Sequence, residues 1–233
     1  GPVEKKLKMQ WNLALSKYAE KLLDGLKDLE FDDRIKKDEI NLIGKSVGAD
    51  VDFRVGKDVM TIYTTRIDTI FGVTFCVIAP EHKLVRKWLD AGLVSNKDEV
   101  EKYIKESAAK SEIERTDATR EKTGVELKGI KAINPFTGKE IPVFTSDYVL
   151  ADYAYGTIMA VPAHDGRDWD FAKKFGLPII PVLAGGEEDK VFEGDGKHIN
   201  SDFLNGMGRQ EAIDAAIKYG SQKGFAKKTT KYK

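Results

Sequence analysis

The spacing of apolar residues changes several times along the chain, and each change marks an element. Trp11, Leu15, Tyr18, Leu22 and Leu26 recur at steps of three and four, which predicts an amphipathic helix from about Gln10 to Leu29 whose apolar stripe needs a partner. Asp32 to Glu39 is mostly charged and reads as a connector. Val47, Ala49, Val51, Phe53 and Val55 then alternate with polar or small residues, the period of a half-buried strand. Gly56-Lys57-Asp58 turns the chain into a second strand, Val59 to Thr65, so a hairpin is expected. A polar cluster, Thr64 to Thr69, interrupts the apolar runs before Phe71-Gly72 opens a strand over Val73 to Ala79.

Leu84, Trp88 and Leu89 predict a short helix within Pro80 to Gly92, and Ser95 or Asn96 caps another that runs to about Ser111 through Val100, Ile104 and Ala108. Glu112 to Thr123 is highly charged and reads as a surface connection. Strands are expected at Val125 to Ile133, Ile141 to Phe144 and Tyr148 to Ala151, with Asn134, Pro135 and Gly138 supplying a turn. The apolar run Ile158, Met159, Val161 ends at Pro162. Trp169, Phe171, Ala172 and Phe175 then mark one face of a helix that stops at Gly176 and Pro178. A strand from Ile179 to Leu183, a Gly/Glu/Asp-rich loop from Gly185 to Gly196 and a last helix near Gly208 to Tyr219 complete the pattern. Strands outnumber helices and do not alternate regularly with them. The expected fold is therefore mixed α/β, with an antiparallel or mixed, barrel-like sheet at the core and peripheral helices.

Composition narrows this picture. The 233 residues, 41% hydrophobic and 33% charged, suffice for one large or two small soluble domains. No stretch is long and apolar enough to span a membrane, and the lysine-rich start leads into an amphipathic segment, unlike a signal peptide. Gly1-Pro2, with no initiator Met, reads as a protease scar, so the chain is expected to be an excised piece. Basic and acidic residues balance at 38 each, so overall charge does not mark a nucleic-acid binder. Locally, Ser221 to Lys233 carries five lysines and no acid; it is either a frayed, solvated terminus or a segment able to approach phosphates. The single Cys76, inside an apolar run, excludes an internal disulfide and fits a reducing, cytoplasmic setting as a buried thiol.

Candidate chemistry gathers at two places. At Tyr153 to Pro178 a strand, a turn and a helix start meet, with Asp165 and Asp168 where free backbone N–H groups are exposed. These acids fit a cleft site, and their spacing equally fits a helix cap. In the cluster Thr64, Thr65, Arg66, Asp68, Thr69, hydroxyls and a guanidinium fork suit ribose, phosphate or base edges, although Thr and Asp also bond nearby backbone in turns. Nucleotide-binding glycine fingerprints and the G-x-S-x-G nucleophile motif are absent. The three histidines are dispersed; only His164, beside Asp165, stands where a base could act, and a plain hydrogen-bonding role is its alternative.

Three long segments carry a family resemblance. TTRIDTIFG (Thr64 to Gly72), NPFTGKEIPVFTSDYVLADY (Asn134 to Tyr153) and IMAVPAHDGRDWDFAKKFGLPI (Ile158 to Ile179) resemble, in order and spacing, the connective-peptide editing domain of leucyl-tRNA synthetase. INLIGKSVGADVDF (Ile40 to Phe53) resembles the segment leading into that insertion, and KKTTKYK resembles the strand returning to the catalytic body. The resemblance implies the class I synthetase editing-domain fold. It divides the chain into a scar (1–2), a leading helix and linker (3–46), the editing domain (47–220) and a basic return strand (221–233). It also implies a monomer that hydrolyses the ester between a wrong amino acid (norvaline, isoleucine or methionine) and the 3′-terminal adenosine of tRNA-Leu. No metal or cofactor is implied for editing; ATP and Mg serve only the catalytic body of the parent synthetase, a further partner. A hydrolytically weak or inactive module that binds the tRNA end is the alternative.

Residue by residue, the resemblance implies that Asp168 holds the substrate α-ammonium and Asp165 supports it. Thr69 crowds the branched leucine side chain, Thr64 and Thr65 bind the terminal adenosine and carbonyl region, and Arg66 organises that strand end. Met159 and Val161 line the amino-acid pocket, His164 lies beside it and Tyr153 stands at its rim. The chain departs from the family pattern at Ala154, Tyr155 and Thr157, where a Tyr at 155 is expected to narrow or reshape the adenosine end. It also departs at Ile67, which stands in place of the usual Pro and is expected to loosen the turn.

Overall fold

The computed structural model describes residues 8–117, 120–151, 154–187 and 189–232. They divide into two compact units, Gly1–Ser46 with Thr230–Lys233, and Val47–Thr229.

In the first unit, α1 (Ala19–Gly25) is flanked by 3-10 turns at Leu15–Tyr18 and Leu26–Asp28, and α2 covers Asp33–Ile43. The predicted helix from Gln10 is thus shorter, starting at Leu15. The charged stretch read as a connector is the body of α2. Its ends are set locally: the Asp32 side chain accepts from Arg34 N–H (2.8 Å), and Gly44, at φ 57°, donates its N–H to Ile40 O (2.9 Å). Charged side chains on its exposed turns hide its helical signal.

The second unit is built on a seven-stranded sheet in the order β2-β1-β4-β5-β3-β6, with β7 also pairing β1. The strands are β1 (Ser46–Val55), β2 (Asp58–Thr64), β3 (Phe75–Ile78), β4 (Val125–Ile133), β5 (Glu140–Thr145), β6 (Thr157–Ala160) and β7 (Ala226–Lys231). β3 and β5 run parallel, while β1–β2, β1–β4, β4–β5 and β3–β6 are antiparallel. Thr157 on β6 donates its hydroxyl to Thr61 O on β2 (2.5 Å), so the two ends of this open, mixed sheet approach each other around one apolar core. Val51, Phe53, Ile62, Ile78 and Val143 fill it, each burial contributing roughly 1.5–3 kcal/mol. Around it lie α3 (Lys83–Asp90), α4 (Lys97–Ala108), α5 (Glu112–Thr116), α6 (Gly166–Phe175) and α7 (Arg209–Lys223).

A second apolar cluster seats α6. The Phe171 ring lies 5.2 Å from both Phe75 on β3 and Phe144 on β5, and 4.4 Å from Phe175. Gly124 lets this ring in: a Cβ there would stand 2.8 Å from its tip.

Three further expectations are corrected. Within Glu112 to Thr123 the chain forms α5, started by a capping box between Ser111 and Glu114. Tyr148 to Ala151 is turn and bend, with Arg115 donating to Val149 O within it (2.8 Å) and to Asp147 O just before it (2.7 Å). Ile179 to Leu183 is extended without a ladder; only Leu183 bridges to His198, and the Val182 and Leu183 N–H groups go to a histidine ring. The lysine-rich tail is no frayed end in its described part, since Ala226–Lys231 forms β7.

Candidate functional site

The end of β2, the turn after it, β6 and the start of α6 converge on one cavity of about 250 Å³. β2 and β6 are the end strands that approach each other, and Phe171 packs α6 against β3 and β5. Residues separated by about a hundred positions in sequence thereby line one hollow.

Asp165 and Asp168 divide the two roles that their spacing left open. Asp165 is the helix cap: its Oδ1 accepts from Arg167 N–H (2.9 Å) and Asp168 N–H (3.2 Å), and its Oδ2 pairs with the Arg167 guanidinium at 3.3 Å. Asp168 is 5% exposed and turns toward β6, its Oδ2 accepting from Val161 N–H (2.9 Å) while Oδ1 is bonded by no described residue. Burial, with the Asp165 charge adding to it, pushes the Asp168 carboxyl up to about 7, against the opposing pull of the Val161 N–H and Arg167.

Across the cavity, the threonine cluster is both turn and lining. Thr64 Oγ1 accepts from Arg66 N–H (3.0 Å), and the buried Thr69 donates its hydroxyl to Arg66 O (3.0 Å). Thr65 is exposed. Ile67, where the turn was expected to be looser, is fully buried and starts the 3-10 segment Ile67–Gly72 in the core. Met159 and Val161 supply the apolar wall.

His164 also lines the cavity, but its ring is committed. Nδ1 faces Phe192 O at 2.8 Å, and Nε2 accepts from Val182 N–H (2.9 Å) and Leu183 N–H (3.2 Å). One tautomer satisfies all three bonds, and burial lowers the ring's pKa. That arrangement clamps a loop and leaves neither nitrogen for a base.

Thr64, Thr65, Arg66, Thr69, Met159, Val161, His164, Asp165 and Asp168 are thus brought together, while Tyr153 lies outside the described residues. Tyr155 does not enter the hollow: its hydroxyl donates to Asp50 Oδ2 (2.9 Å), and its ring borders separate cavities. Tyr63, Ile158 and Arg167 also line the site and were not expected. Alternation along a strand places neighbours on opposite faces, so no periodicity selects Tyr63 with Thr64 or Ile158 with Met159. Arg167, between two acids at a helix start, carried a readable signal. Among the described residues no group of three or more His, Cys, Asp or Glu side chains is placed to hold a metal ion.

A family profile described as the leucyl-tRNA synthetase editing domain matches residues 40–221. The chain belongs to the leucyl-tRNA synthetase editing-domain family. A leucine–tRNA ligase from Alkaliphilus oremlandii is 46% identical over 235 residues, covering 99% of this chain and 29% of that protein. One from Mycoplasma capricolum subsp. capricolum is 48% identical over 232 residues, covering all of this chain and 28% of its own length. The chain therefore spans under a third of these relatives. A crystal structure of the ternary complex of Agrobacterium radiobacter K84 AgnB2 LeuRS with tRNA and LeuAMS matches with a TM-score of 0.72 and 29% identity, covering 96% of this chain and 25% of that one. The fold of this editing domain is thus shared with a solved synthetase.

Proposed function

We propose that the cavity hydrolyses the ester that joins a non-cognate amino acid, such as norvaline, isoleucine or methionine, to the 3′-terminal adenosine of tRNA-Leu. The observation carrying this reading is the buried Asp168 carboxylate set across a small hollow from Thr64 and Thr69. A carboxylate there pairs with the substrate α-ammonium in a charge-assisted hydrogen bond and fixes the ester carbonyl relative to an attacking water. The water oxygen adds to the carbonyl carbon, the bond to the ribose oxygen breaks, and that oxygen takes up a proton as the amino acid leaves. A ribose hydroxyl of the substrate assists the water.

The need for such a site is physical. One methylene in an apolar synthetic pocket is worth only about 1–3 kcal/mol, roughly 10–200-fold in discrimination, so near-isosteres of leucine escape the first selection. Thr69, buried against the turn, is the second sieve, its side chain excluding leucine. Thr64 and Thr65 receive the adenosine, while Met159 and Val161 hold the amino-acid side chain. Trp11, Leu15, Tyr18 and Leu22 of the first unit are exposed apolar residues, of the kind that suits contact with the parent synthetase.

Ile-tRNA-Leu incubated with the chain is expected to lose its isoleucine, and Asp168→Ala is expected to abolish that loss while leaving the circular dichroism spectrum unchanged. Tight binding of the tRNA without turnover by the wild-type chain would instead identify an inactive module for the tRNA end.

A further inference from the structure

Asp68 has no part in the reading above, yet it is the most enclosed charge beside the cavity. Its side chain has no exposed surface. From one side Arg66 grips it, with Nε 3.1 Å from Oδ1 and Nη2 2.9 Å from Oδ2. From the other, His198 Nε2 lies 3.1 Å from the same Oδ2, and His198 Nδ1 faces Met207 O at 3.0 Å. His198 is equally enclosed and comes from a segment 130 positions later, pinned by its own N–H to Met207 O (3.1 Å). A guanidinium at the cavity wall is thus held through Nε and Nη2, and no described residue binds its Nη1.

We infer that Asp68 and His198 are positioning residues that lock the Arg66 guanidinium with its Nη1 end toward the cavity, where it meets an acceptor on the terminal nucleotide. A free arginine samples many rotamers, so a fixed one binds at lower entropic cost. The planar fork sets the geometry: two parallel contacts to one carboxylate define the plane and direction of the remaining N–H groups, which a lysine cannot do. His198 in turn fixes the carboxylate, so the direction of Arg66 is determined from outside the sheet.

This rests on the deacylation reading of the cavity, and the test separates the two. Steady-state deacylation of Ile-tRNA-Leu is measured for the wild-type chain, Arg66→Lys, Asp68→Asn, His198→Gln and the double variant Arg66→Lys/Asp68→Asn. The expected result is a KM raised roughly tenfold in Arg66→Lys and Asp68→Asn with kcat within about twofold of wild type, and a double variant no worse than the worse single. An active wild type with KM unmoved in Arg66→Lys and Asp68→Asn overturns the inference and leaves the deacylation reading standing. Arg66 is partly exposed, so Arg66→Lys and the milder His198→Gln decide the matter if Asp68→Asn fails to fold. A wild type that does not deacylate sinks the deacylation reading alone. The NMR signal of Arg66 Nε–H, assigned by its loss in Arg66→Lys, then tests the lock. Slow solvent exchange in the wild type that becomes fast in Asp68→Asn or, if that variant does not fold, in His198→Gln supports it; exchange as fast in the wild type as in exposed arginines contradicts it.

Discussion

A carboxyl group enclosed beside a second carboxylate resists ionisation, and Asp168 meets both conditions, with its carboxyl pushed up to about 7. Near neutrality Asp168 is therefore partly protonated, and on the proposed reading a substrate ammonium must displace that proton. The kcat/KM for deacylation is expected to rise with pH up to about 7 and to fall again above about 8, where an α-amino group (roughly 7.7–8.0) gives up the proton that the pairing needs; a flat profile from pH 5.5 to 7.5 would contradict the role given to Asp168. The same shift has a stability consequence. An unfolded Asp titrates near 3.8, so between about pH 4 and 7 the folded chain keeps a proton that the unfolded chain gives up. Stability is lost as pH rises through that window, by an amount on the order of a few kcal/mol. Asp168→Asn, which cannot ionise and still accepts from Val161 N–H, is expected to lower this dependence. Denaturant titrations at pH 5 and pH 8 should show a smaller drop for the variant than for the wild type.

Among the elements, the β1–β2 hairpin sets the position of Thr64. Gly48 lies so close to it that a Cβ would stand 2.3 Å from Thr64 O, a distance that only backbone displacement relieves. Gly48→Ala is expected to cut the deacylation rate several-fold while costing roughly 1–3 kcal/mol of stability by denaturant titration. An unchanged rate would show that the site tolerates movement of Thr64. The hairpin itself was legible from the alternation of Val51, Phe53 and Val55, and α6 from the spacing of Phe171, Ala172 and Phe175. Elements whose reasons are tertiary were not. The chain from Ile179 to Leu183 has the composition of a strand, yet the N–H groups of Val182 and Leu183 go to His164, and in Tyr148 to Ala151 the Val149 carbonyl goes to Arg115. The charged faces of α2 and α5 concealed helices that only their caps reveal.

At the level of the whole chain, the site exists because the two ends of the sheet approach each other. β2 carries the threonines and β6 leads to the aspartates, and their meeting through Thr157 and Thr61 brings the two clusters to one cavity. Either cluster alone reads as a turn or a cap, and in the structure each also serves as one. Sequence physics could name both places without joining them; the three long motifs joined them by resemblance. Tyr155 shows the limit of that resemblance, since its side chain faces Asp50 and leaves the hollow open. The proofreading account predicts that the hollow accepts isoleucine and refuses leucine because of Thr69. The decisive measurement is single-turnover release of amino acid from Ile-tRNA-Leu and Leu-tRNA-Leu by the wild-type chain and by Thr69→Ala. The account predicts that the wild type strips isoleucine and spares leucine, and that Thr69→Ala strips both. Equal lifetimes of the two tRNAs with the wild-type chain, or a Leu-tRNA-Leu lifetime unchanged in Thr69→Ala, would contradict it.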